Sequence, residues 1–145
     1  HESELEFIPL FDCNTYVYVW KKNPIASKSS VSLQELEKYP CLTFDQGKTN
    51  SFYFAEEVFS TYEYKQTIQV DDRASMLNLM VGLNGYTLCS GIICEELNGS
   101  DYAAVPLKET EVMTIGYVKR KSIQLSELAQ LYVNELAKYK NLVLK

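Results

Sequence analysis

Between Val31 and Ser90 the hydrophobic period of the chain switches back and forth between that of a helix and that of a strand. "VSLQELEKYP" has a complete helix start. Ser32 is the cap, Glu35 three residues on closes a capping box, and Val31 stands opposite Leu36 as a hydrophobic staple, with Pro40 as the stop. The apolar run Cys41–Phe44 follows, then a segment whose Ala55, Val58, Phe59 and Tyr62 recur at helical spacing, then the β-rich "KQTIQV". Asp72 can cap a helix over "RASMLNLMVGL", which Asn84-Gly85 can end in the left-handed conformation before a further strand, "YTLCS". Strands that each lead into a helix and then into the next strand lie parallel with right-handed crossovers, so the chain is expected to be α/β with a parallel sheet.

The flanks break this rhythm. Phe7–Leu10 and Thr15–Trp20 are β-rich, the second alternating Tyr with Val, and "NPIASKSS" is a loop composition. After a looser stretch from Gly91 to Tyr102 come β-rich "AAVPL" and "VMTIGYVKRK". A final amphipathic helix is expected to carry Leu125, Leu128, Tyr132, Leu136 and Tyr139 on one stripe.

Several functions are disfavoured. No apolar run approaches the roughly 20 residues that cross a bilayer, and no signal-peptide pattern opens the chain, so a cytoplasmic protein without a membrane partner is expected. A net charge of −5 argues against direct grip on nucleic acid. Cys13, Cys41, Cys89 and Cys94 form no zinc pattern, and His1 is the only histidine, so neither metal nor cofactor is expected. The chain has no nucleophile elbow, phosphate-binding glycine motif or internal histidine base, and an enzyme is not expected. Asp71-Asp72 reads as a helix cap and its neighbour rather than as paired catalytic carboxylates, because adjacent residues at a strand end point to opposite faces.

The candidate site is the polar loop that interrupts "CLTFDQGKTNSFYFAEEVF". In an open parallel sheet, ligands bind beyond the carboxyl ends of the strands, where free N–H groups at a helix start favour an anion. Thr43, Gln46, Thr49, Asn50 and Ser51 add neutral side chains that can donate or accept there, and Gly47 lets the backbone come close to a ligand. The same features have a purely local explanation: Asn50 or Ser51 capping its own helix, and Gly47 serving a tight turn.

"FIPLFDCNTYVYVWKKNPIASKSSVSLQELEKYPCLTF" resembles the stretch in LysR-type transcriptional regulators that runs from one effector-binding subdomain into the other. "QVDDRASMLNLMVGLNGYTLCSG" and "AAVPLKETEVMTIGYVKRKSIQLSELAQLYVNEL" are similar to the segments that follow there, so the likeness covers nearly the whole chain. It implies a type II periplasmic-binding-protein-like fold, Rossmann-like with crossing strands. Residues 1–22 would be the outgoing strand of lobe I and crossover, 23–112 lobe II, and 113–145 the return crossover and C-terminal helix of lobe I. The chain would then be a fragment, without the winged helix-turn-helix and the first units of lobe I. Ser90-Gly91 stands where relatives often have proline.

By the same resemblance, Thr43, Phe44, Asp45 and Gln46 at the strand end, extended by Asn50 and Ser51, would form the lobe II wall of an effector pocket, and Val70–Arg73 would be a second strand end and helix start facing the same cleft. The effector would be a small anionic or amino-acid-like metabolite. "FDQGKTNSFYFAEEV" looks like a subgroup that responds to O-acetylserine-like or sulphur metabolites. DNA would be reached only through an N-terminal domain, and a homodimer or homotetramer would form, with the helix Phe52–Tyr62 as one contact face. The alternative from another class is the solute-binding protein of a transport system.

Overall fold

The computed structural model describes residues 4–45, 62–109 and 111–140, and the chain divides into two compact units. One comprises Asn14–Glu111; the other comprises His1–Cys13 with Val112–Lys145.

Among the described residues, the larger unit is built on a five-stranded sheet of order β4-β3-β5-β2-β6, from β2 (Tyr16–Trp20), β3 (Cys41–Phe44), β4 (Thr67–Val70), β5 (Tyr86–Cys89) and β6 (Tyr102–Pro106). β3 pairs in parallel with β4 over its whole length and with β5 at Cys41 opposite Tyr86, as the alternating pattern requires. β2 departs from that expectation. It runs antiparallel to both its neighbours, Tyr18 opposite Thr87 on one side and Ala104 on the other, so the sheet is mixed. A strand that enters from the other unit has no preceding helix to fix its direction. Its run of buried Val17, Tyr18 and Val19 drives it into the middle of the sheet, where both faces are covered.

Two clusters fill those faces. Val17, Val19, Ile25, Val31, Leu33, Leu36, Cys41, Tyr86, Val105 and Leu107 make one, Tyr18, Leu42, Val70, Met76 and Met80 the other. The first is closed by α1 (Leu33–Leu36), whose start follows the expected chemistry: the Ser32 hydroxyl accepts from the Glu35 N–H while the Glu35 carboxylate accepts from the Ser32 N–H. Val31 and Leu36 are fully buried in that cluster. α1 closes after a single turn, before Pro40 is reached. A 3-10 turn at Pro24–Ser27, capped by Asn23, occupies the segment expected as loop.

The second face is covered by α2 (Arg73–Leu83), which starts on Asp72 accepting from the Ser75 N–H and stops at Asn84 with φ 56°. Asp72 is thus a cap, as its place before the apolar run implied. α3 (Glu95–Asn98) lies in the stretch that carried no helical pattern, and its cap position, Cys94, makes no side-chain cap bond. Of the helix expected over Phe52–Tyr62, only Tyr62 falls among the described residues, and it lies in a bend.

In the smaller unit, β1 (Leu5–Asn14) pairs with β7 (Val112–Arg120). Glu6 bonds Lys119 and Asp12 accepts from Thr114, a reversed order that makes the pair antiparallel. The expected last helix is α4 (Glu127–Ala137), capped by Ser126. Leu125 and Leu136 of its stripe are half-buried, whereas Leu128 is 77% exposed and Tyr132 65%. Among the described residues no helix is long and apolar enough to cross a membrane.

Candidate functional site

The larger unit has a cavity where β3 and β5 part. Their ladder consists of the pair Cys41–Tyr86, and past it Thr43 and Phe44 on one strand and Leu88 and Cys89 on the other line a cavity of about 190 Å³. The topology explains its place. From β3 the chain passes to β4 on one side, and from β4 it returns through α2 to β5 on the other side of β3. The strand order therefore reverses between β3 and β5, the switch point at which open α/β sheets leave a crevice at their carboxyl ends.

Apolar walls come from Leu42, Phe44, Met76, Leu77 and Ile92, with polar groups from Tyr18, Thr43, Arg73, Thr87 and Asn98. Arg73, the first residue of α2, donates from Nε to Oδ1 of Asn98 at 3.1 Å. Among the described residues no carboxylate lies within ion-pair distance of Arg73. A positive charge thus stands beside an apolar hollow without a neutralising partner among the described residues, a surrounding that favours an anionic guest with an apolar body.

The residues expected at the site fare differently. Thr43 and Phe44 line the cavity. Asp45 is exposed beyond the strand end, its N–H donating to the Val70 carbonyl at 2.8 Å, and is not among the lining residues. Gln46, Asn50 and Ser51 lie outside the described residues. In the second candidate stretch, Val70 is buried in the core, Asp71 is exposed and Asp72 is engaged as a cap, leaving Arg73 at the cavity. The Ser75 hydroxyl and backbone N–H hold the Asp72 carboxyl below its ordinary range, which keeps the cap ionised.

Sequence reasoning passed over Tyr18, Thr87, Cys89 and Asn98. The first had a signal: in "YVYVW" the period of two sets Tyr18 on the face opposite Val17 and Val19, so a large polar-tipped ring had to be accommodated on the second face. Asn98 had none, since it reaches the site from a four-residue helix without a cap signature.

A family model described as the LysR substrate binding domain matches residues 1–140. No curated protein matches the chain. Among solved structures, HinK, a LysR family transcriptional regulator from Pseudomonas aeruginosa, superposes with a TM-score of 0.67 at 19% identity over 95% of this chain and 48% of that one. The effector binding domain of QuiR in complex with shikimate gives 0.63 at 20% identity, over 97% of this chain and 68% of that one. The regulatory domain of CcmR from Synechocystis PCC6803 in complex with 2-PG gives 0.57 at 16%, over 94% and 67%. At such identities the likeness is one of fold, and the fold is the type II periplasmic-binding-protein-like one. The chain spans about half the length of the HinK chain it matches.

Proposed function

The chain belongs to the LysR substrate binding domain family, and on that premise we propose that it is the effector-sensing part of a transcriptional regulator, with the cavity between β3 and β5 as its share of the effector site. In this reading the unit Asn14–Glu111 is lobe II, and β1, β7 and α4 belong to lobe I. The effector is a small anionic or amino-acid-like metabolite, with sulphur amino-acid relatives such as O-acetyl-L-serine the first to try. Thr43 and Phe44 contribute the strand-end wall, and the resemblance extends the same role to Asp45, Gln46, Asn50 and Ser51.

The observation that carries the reading is the placement of Arg73, without a carboxylate partner among the described residues, beside a cavity at the switch point of the sheet. Binding there controls a helix-turn-helix domain elsewhere in a homodimer or homotetramer only if the effector favours one arrangement of the lobes over another. The family match does not favour the alternative of a transport solute-binding protein. The test is calorimetric titration of the chain with O-acetyl-L-serine and with shikimate, the ligand named for QuiR. Saturable heat with either supports the reading, and the absence of heat with both up to about 10 mM, where affinity would be worth under about 3 kcal/mol, overturns it.

A further inference from the structure

Tyr18 differs from the other buried polar side chains of its unit. Thr15 donates to the Glu111 carbonyl at 3.0 Å, and Asn23 both donates to the Asn84 carbonyl and accepts from the Ile25 N–H, each at 2.9 Å. Tyr18 is equally sequestered, 6% exposed, yet its hydroxyl oxygen has no hydrogen-bond partner among the described residues. Folded proteins pair nearly all such groups, because a buried hydroxyl that loses water and gains nothing is a net cost.

The same side chain lines the cavity, together with Arg73 and Cys89, both of which act electrostatically on its hydroxyl. Burial raises the proton affinity of Tyr18 above that of an ordinary phenol, with Arg73 opposing, so the group stays protonated and is available as a donor. If Tyr18 served only to fill space against Leu42, Met76 and Met80, phenylalanine would serve as well, without the cost of an unpaired oxygen.

We propose that the Tyr18 hydroxyl is a ligand-anchoring donor: it gives its hydrogen bond to an oxygen acceptor on the bound effector and so selects oxygen-bearing effectors over apolar isosteres. This rests on the cavity being the effector site, as argued above. The required ligand feature is an oxygen, carboxylate or hydroxyl, placed in the cavity within reach of Tyr18, apart from any group that Arg73 holds.

The test is Tyr18→Phe, which removes one oxygen and leaves the ring. With whichever of O-acetyl-L-serine and shikimate the wild type binds, the variant's Kd rises at least about five-fold, and its melting temperature stays level or rises. Tyr102→Phe, the matching change in the neighbouring ring, leaves the Kd within about two-fold. Unchanged affinity in Tyr18→Phe overturns this inference and leaves the proposed function standing, whereas a wild type that binds neither probe overturns both. Should Tyr18→Phe fail to fold, the wild type labelled at tyrosine Cζ decides: the Tyr18 resonance shifts on saturation with the bound probe, and a fixed resonance overturns the inference.

Discussion

The rings of Tyr18 and Tyr102 stack 15° from parallel with centroids 5.3 Å apart, and their hydroxyls have different fates. Tyr102 donates to the Leu77 carbonyl at 3.3 Å; Tyr18 has no such acceptor among the described residues. One member of the pair braces α2 against the sheet, and the other stands at the cavity.

Tyr102→Phe is therefore expected to destabilise the chain by about 1 kcal/mol, the net worth of an ordinary hydrogen bond. Urea denaturation checks it. A variant as stable as the wild type would mean that the 3.3 Å contact contributes nothing.

Arg73→Gln keeps a donor for Asn98 but removes the charge beside the cavity. Because Arg73 is exposed, water screens it, and the loss for an anionic ligand is about 1 kcal/mol, roughly five-fold in Kd. Shikimate titrations at low and high salt should show the gap between wild type and variant shrinking as salt rises. A gap absent at both would remove Arg73 from the site.

Gly91 follows β5, where the family resemblance leads one to look for proline. Its φ of +78° is one that side chains disfavour, and a Cβ there would lie 2.6 Å from the Tyr16 ring. Gly91→Ala should cost about 2 kcal/mol or more in chemical denaturation. Part of that cost should disappear in a Tyr16→Ala background, because the two changes share one clash.

Acid should weaken the larger unit through two carboxylates. Lys28 first, then the Ser32 N–H and Lys108, hold Glu35 far below its ordinary range, and Ser75 holds Asp72 below its own. Both values are depressed by folding, so their stabilisation is complete above the unfolded values near about pH 4 and drains away as pH falls through the folded ones. The urea midpoint should be level from about pH 5 to 7 and fall below about pH 4. Glu35→Gln should flatten part of that fall, and an unaltered slope would count against the Glu35 assignment.

What could be read from the sequence were features written in neighbouring residues. The Ser32–Glu35 box, the Asp72 cap and the left-handed Asn84 each answer to the chemistry of a few consecutive positions, and all three stand as expected. The direction of β2 could not be read, because it is fixed by pairing with β5 and β6, some seventy to ninety residues away in the chain. The candidate site was half legible for the same reason. Thr43 and Phe44 announced themselves by ending a strand before a polar loop, whereas Tyr18, Thr87 and Asn98 arrive from three other elements. No local signal joins those three.

The seam between β3 and β5 also bears on how such a chain can diversify. Where strands are laced together at every residue, a new side chain must satisfy its partners across the ladder as well as any guest. Here a single rung, Cys41–Tyr86, carries the joint. Thr43 and Phe44 stay paired to β4, and Leu88 and Cys89 to β2, so at these four positions a substitution answers to one neighbouring strand rather than to two, and the wall of the hollow can vary while the sheet beneath keeps its register.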